Sequence, residues 1–203
     1  MIGNATVALE QKYGGFTYIF DIGGSYESVV ELYGGKVDRV GKDGPRVNPF
    51  SLEPTESNIK FLFSFIKLLL TNGGAELEPE DDDVIHKAVQ GMYLLDTANR
   101  RLSNLFLPKK LDRYLSKWVG RGIYNAVFDN VEDTLSLSRL QCFDFQGVNN
   151  EQYADLIEPL MVWLLRRIND VLYNPANLGV PKHILIEEIF SSMKNKQLLD
   201  GAL

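Results

Sequence analysis

Near its C-terminus the chain carries the run His183-Ile-Leu-Ile-Glu187-Glu188, an apolar stretch followed at once by two carboxylates. Such a run has the character of a buried parallel strand in the centre of a sheet. That strand would deliver whatever follows it to the carboxyl edge, where open α/β folds bind their ligands. Two carboxylates at that edge can divide labour. Glu187 can hold Mg²⁺, directly or through water, while Glu188 orients or polarises a water for attack on a phosphoryl group. The same pattern also describes a strand end whose acids are solvated or cap the next helix, and the run alone does not choose between the two.

A second place of interest is Asp21 with Gly23-Gly24-Ser25, which follows the β-rich run Phe16 to Phe20 and so also falls at a carboxyl edge. The two glycines permit a tight turn, but their spacing matches neither the dinucleotide nor the phosphate-loop pattern, and no Gly-Lys-Ser or Gly-Lys-Thr occurs in the chain. Taken by itself, Ser25 reads as the N-cap of the following helix. His86 and His183 have no Ser or Cys nucleophile in a recognisable arrangement, so a hydrolytic triad has no support. Cys142 lies in an apolar strand and reads as a buried, inert thiol. Glu80 to Asp83 precede an apolar helical stretch and read as a capping cluster rather than a metal site, and Trp118 and Trp163 read as core or interface residues.

The elements that must position these residues alternate. Residues 5–13 have a helical pattern stopped by Gly14-Gly15, then come the strand at 16–20, a helix through Leu32 stopped by Gly34-Gly35, and a strand at Val37 to Val40. From Thr55 the period becomes helical. Ile59, Leu62, Phe63, Ile66, Leu69 and Leu70 leave only a narrow polar stripe of Lys60, Ser64 and Lys67, the mark of a mostly buried helix. Further helical stretches follow at 84–95 and at about 109–118. Strand character returns at Leu140 to Phe145, followed by a long helix around Ile157 to Leu172 in which Glu158-Pro159 marks either the start or a kink. The expected organisation is an α/β core at 1–50 and 136–203 with an all-helical insertion at 51–135.

Composition bounds the function. The 203 residues are 45% hydrophobic and 24% charged, which is ordinary for a folded globular chain. A net charge of −6 argues against a dedicated nucleic-acid module. One cysteine and two histidines exclude an internal disulfide and a structural zinc site. The most apolar stretch, Ile59 to Leu70, is too short to span a bilayer, and the N-terminus lacks the pattern of a signal peptide, so a cytoplasmic protein is expected.

Taken together and in order, several segments resemble the TrbE/TraC/CagE-type ATPases of conjugal-transfer and type IV secretion systems, relatives of the HerA and FtsK motors. They are Phe20-Asp21-Ile-Gly-Gly-Ser25, Gly34-Gly35-Lys, Asn48-Pro49-Phe50, Gly122-Ile-Tyr124, Phe128-Asp129-Asn130 with Asp133, and the Walker B-like His183 to Glu188. The resemblance implies part of a RecA-like P-loop NTPase sheet with an all-helical insertion, in a hexamer at the inner face of the bacterial inner membrane. It also implies that ATP and Mg²⁺ are the cofactors, that Asp21 and Ser25 lie on the nucleotide, that other type IV secretion components are the partners, and that ATP hydrolysis drives assembly or substrate transfer. Two departures stand out. The family's phosphate loop would lie just ahead of residue 1, and Glu187 stands where Asp is usual. The expectation is therefore a segment that is catalytically silent alone and, with an incomplete sheet, prone to self-association. The alternative is a helical binding or scaffolding module of a secretion complex that uses none of these acids.

Overall fold

A computed structural model describes residues 2–41, 44–148 and 150–186. The strands are β1 (Phe16–Asp21), β2 (Lys36–Arg39), β3 (Leu140–Asp144) and β4 (Lys182–Ile186). The helices are α1 (Ile2–Lys12), α2 (Glu27–Leu32), α3 (Glu56–Asn72), α4 (Pro79–Met92), α5 (Lys109–Asp112), α6 (Asn125–Phe128) and α7 (Ala154–Leu172). The chain divides into two compact units, one formed by Met1–Gly44 with Ser136–Leu203 and the other by Pro45–Leu135.

The first unit is the α/β one. Its four strands are all parallel, in the order β2-β3-β1-β4. Every residue of β1 and β3 is buried, as the apolar runs require of strands covered on both faces. On one face Ile19 and Cys142 pack with Leu140, with Val7 from α1 and with Tyr26 and Val30 at α2. On β1 and β3 the aromatic rings of Phe20 and Phe143 lie 5.5 Å apart. The Cys142 thiol is buried, as its strand position implied. α7 is buried around most of its circumference, and its face of Ile157, Leu160, Met161, Leu164, Ile168 and Leu172 was legible from spacing. The helix begins at Ala154, so Pro159 lies inside it, where it withholds an amide from the helical ladder.

Two expectations change here. The run Lys182–Ile186 takes an end position in the order, pairing with β1 alone among the described residues, and His183 to Ile186 are half-buried rather than central. Hydropathy reports how apolar a strand is, whereas its place in the sheet depends on pairing, which hydropathy does not encode. Ser25 is not the cap of α2. Tyr26 holds that position without a side-chain cap bond, and Ser25 sits exposed one residue ahead, in a turn where Gly23 (φ 109°) and Gly24 (φ 73°) take left-handed backbone.

The second unit is all-helical. Thr55 caps α3 by accepting the Asn58 amide at 3.2 Å, and Leu62, Phe65, Ile66 and Leu69 are buried, while Lys60 and Ser64 are exposed as the polar stripe predicted. The acids at 80–83 open α4, where Asp81 and Glu78 form a reciprocal capping box. The stretch at 109–118 starts as one helical turn, α5, and tightens to a 3₁₀ turn at Arg113–Leu115. Trp118, fully buried, donates Nε1–H to the Leu69 carbonyl at 3.0 Å and sets its ring 4.8 Å from that of Tyr124, the two planes tilted by 39°.

The segments that carried the family resemblance in this unit bond backbone. Asn48, 2% exposed, donates from Nδ2 to the carbonyls of Arg100 (2.8 Å) and Val131 (2.9 Å) and accepts the Phe50 amide at 3.0 Å. Asn130 donates to the Val47 and Ala126 carbonyls, both at 3.1 Å. Asp129 accepts the amides of Ser103 (2.8 Å) and Gly120 (3.0 Å). Gly122 is required sterically, because a Cβ there would lie 2.2 Å from the Ser116 carbonyl oxygen. Arg46 and Thr134 join the two ends of the unit by a reciprocal pair, at 2.9 Å from the Arg46 amide to Thr134 Oγ1 and 2.8 Å from the Thr134 amide to the Arg46 carbonyl.

Candidate functional site

Parallel strands end at one edge, and three residues lie level there. Arg39 on β2 pairs in register with Asp144 on β3, and Asp144 with Asp21 on β1. Asp21 is 1% exposed and Asp144 7%. Both are two residues beyond members of the same packed cluster, Ile19 and Cys142, so the two carboxylates share a face. The Asp144 carboxylate accepts the Gln146 amide at 2.9 Å, and the Asp21 carbonyl accepts the Phe145 amide at 2.8 Å, which pins the β3 exit beside Asp21.

Glu27, in the first turn of α2, adds a third acid, whose Oε1 lies 3.4 Å from the Arg39 guanidinium. The field of these groups is felt by Cys142, whose thiol is pushed up to about 12 by burial, with the carboxylates of Asp21, Asp144 and Glu27 acting in the same direction. A cleft of about 550 Å³ opens at the ends of β2 and β3, bounded by Arg39, Gly41, Asp144, Gln146 and Tyr153 among others. Its position at the carboxyl edge is where open α/β sheets bind ligands.

Of the residues singled out by sequence, Asp21 lies in this row and Ser25 lies at the end of the glycine turn that follows it. Glu187 and Glu188 lie outside the described residues. The strand that leads to them ends with Ile186 paired to Phe20, directly beside β1. Asp144, Glu27 and Arg39 were not singled out. Asp144 had a signal, since Phe143-Asp144 repeats the Phe20-Asp21 pattern of an apolar run ended by an acid. Glu27 and Arg39 had none, because Arg39 reaches the row through pairing between strands and Glu27 through its ion pair with Arg39. Among the described residues no group of three or more His, Cys, Asp or Glu side chains is arranged to hold a metal ion. The row sets two buried carboxylates level with one arginine. It provides no cradle of amides and lysine for the phosphates.

No family model matches the chain. It is 26% identical over 189 residues to the type IV secretion system protein VirB4 of Brucella abortus, an alignment covering 81% of this chain and 23% of that protein. It is 30% identical over 183 residues to VirB4 of Bartonella henselae, covering 85% and 23%. It is 26% identical over 171 residues to the type IV secretion system protein PtlC of Bordetella pertussis, covering 77% and 21%. The chain thus spans about a quarter of the length of the curated relatives it matches. Its fold superposes on the solved structure of VirB4 of Thermoanaerobacter pseudethanolicus with a TM-score of 0.65 at 13% identity, covering 99% of this chain and 84% of that one. The expected α/β fold with its parallel sheet is borne out. The alignments relate most of the chain to the type IV secretion system proteins VirB4 and PtlC, and its fold is that of a VirB4 structure, which bears out the resemblance seen in its sequence.

Proposed function

We propose that the chain is a segment of an ATP-driven type IV secretion motor, contributing the acidic edge of the nucleotide site and, by itself, turning over no ATP. The observation that supports this most is the parallel pairing of β1 with both β3 and β4, which brings strands ending in or leading to acids side by side. In this reading Glu187 holds Mg²⁺, which when bound neutralises phosphate charge, and Glu188 orients the attacking water. Asp21 and Ser25 face the nucleotide from the neighbouring strand, and Asp144 shares the negative field of Asp21. The phosphates are held elsewhere, because this sequence has no Gly-Lys-Ser/Thr loop. The motor works as a hexamer with other secretion components at the inner face of the bacterial inner membrane. Among the described residues no helix is long and apolar enough to cross a membrane.

Calorimetry with Mg-ATP on this chain tests the first half, with weak or absent binding expected and tight binding counting against it. The second half is tested in a longer protein that carries a phosphate loop ahead of this segment. There, Glu188→Gln should abolish hydrolysis while sparing nucleotide affinity, because its carboxylate acts on the transition state more than on the ground state. Glu187→Gln should weaken the Mg²⁺-dependent part of binding as well. A Glu188→Gln enzyme with full turnover overturns the assignment.

A further inference from the structure

The cleft of about 550 Å³ at the ends of β2 and β3 lies away from the strand that leads to Glu187 and Glu188, because β1 stands between β3 and β4. Two strand spacings make that separation about 10 Å. Asp144 lines the cleft and is 7% exposed. Its Oδ1 accepts the Gln146 amide at 2.9 Å. Its Oδ2 has no hydrogen-bond partner among the described residues, yet it is not one of the side-chain oxygens sealed from solvent, so it opens into the cleft. An ionised carboxylate offers about four lone-pair sites, and most of these stand unused. No basic side chain among the described residues pairs with it. Arg39, level with it on β2, turns its guanidinium to Glu27 instead. A carboxylate held this far out of water with so few partners is costly, and such groups gather where a ligand completes them.

The surroundings select the ligand. Asp21, Asp144 and Glu27 stand against a single guanidinium, Arg39, so the local field is negative and favours a cation. A metal ion needs several protein oxygens, and among the described residues no group of three or more His, Cys, Asp or Glu side chains is arranged to give them. An organic cation needs fewer. Half-buried Tyr153, just ahead of α7, brings an aromatic ring to the cleft, and exposed Gln146 brings an amide oxygen. Gly41 and Gly147 add wall without side chains, against which a flat group can lie. A carboxylate for a fork of N–H groups, a ring for its face and a further acceptor are what a guanidinium uses, whereas an ammonium gains little from the ring and the fork. The edge of a guanine base presents a similar fork, but it would carry phosphate into a negative field.

We propose that this cleft binds the guanidinium of an arginine side chain presented by a partner protein, with its N–H fork on the Asp144 carboxylate and its plane against the Tyr153 ring. Gln146 Oε1 accepts a further N–H. The site uses neither Glu187 nor Glu188, so it stands or falls apart from the nucleotide reading.

The test titrates the nitrogen-labelled 203-residue chain with the capped peptide acetyl-Gly-Arg-Gly-amide and follows the backbone signals of Gln146 and Gly147 by NMR. Saturable shifts at low millimolar peptide are expected, with the lysine counterpart about threefold weaker or more. Asp144→Asn keeps an oxygen for the Gln146 amide and so spares the fold, but it should weaken the arginine peptide roughly tenfold, the worth of one charge-assisted hydrogen bond. Arg39→Gln removes the one like charge at the rim and should tighten binding by about twofold. It also serves as the deciding variant should Asp144→Asn not fold. Absence of saturable shifts, equal binding of the lysine peptide, or an Asp144→Asn chain that binds as well as its parent overturns the proposal. Binding of agmatine without the peptide overturns the assignment to a protein arginine. Binding of guanosine monophosphate that Arg39→Gln weakens overturns it in favour of a nucleotide.

Discussion

Replacing Asn48 by Ala removes three hydrogen bonds at a site 2% exposed, two donated to the carbonyls of Arg100 and Val131 and one accepted from Phe50. Each is worth about 1 kcal/mol net, and the groups left behind are shielded from water, so the expected loss is about 3 kcal/mol, roughly a hundredfold in the folding equilibrium. With a urea dependence of about 2 kcal/mol per molar, the midpoint falls by about 1.5 M. The chain offers a clean assay, because Trp118 belongs to the helical unit and Trp163 to the α/β unit. In a Trp163→Phe background, fluorescence follows the helical unit alone. Asn48→Asp sharpens the test. It keeps the acceptor for Phe50 but turns an oxygen toward two carbonyls, so it should be no more stable than Asn48→Ala. A midpoint that moves by less than about 0.5 kcal/mol equivalent in either variant would show that the side chain does not clamp these three segments and would refute the reasoning.

Gly122→Ala should destabilise the same unit by about 1–3 kcal/mol or more in the same titration, since its Cβ would be driven against the Ser116 carbonyl; an unchanged midpoint would contradict that. Asp81 is held below the usual carboxylate range by the hydrogen bond from Lys110 and then by the Glu78 amide. Its contribution is therefore complete above the unfolded carboxylate value and lost as pH falls through the lower folded one, and Lys110→Met should flatten this acid limb in melts between pH 5 and about pH 2. The Cys142 thiol, pushed up to about 12 by burial, should resist Ellman's reagent at pH 8 in the native chain and react fully in denaturant; rapid native labelling would show that the cluster around it opens readily.

The legible part of this molecule was its apolar periodicity. The buried strands β1 and β3, the buried face of α3 and the core side of α7 follow from spacing alone. What spacing could not carry was pairing. Nothing in the one-dimensional pattern sets Arg39 level with Asp144 across the sheet, or gives Lys182–Ile186 an end position among the described strands. The resemblance segments Asn48-Pro49-Phe50 and Phe128-Asp129-Asn130 were visible as motifs, yet their chemistry was not. Asn and Asp serve equally as ligands or as clamps on backbone, and here they clamp. Ser25 was misplaced for a local reason, because two successive left-handed glycines delay the helix until Glu27.

The reciprocal bonds between Arg46 and Thr134 form a neck through which the chain leaves and returns. Beyond it, on the sheet side, the chain resumes in β2 and β3, which are neighbours. To the sheet, everything inside the neck is one closed loop whose ends are already held together. The entropy of closing such a loop grows only logarithmically, by about 0.6 kcal/mol for each doubling of its length. Residues can therefore be added, removed or exchanged inside the neck almost without thermodynamic notice from the strands that carry the acids. The helical unit can vary its outer surface from one relative to another while the edge holding Asp21 and Asp144 keeps its register.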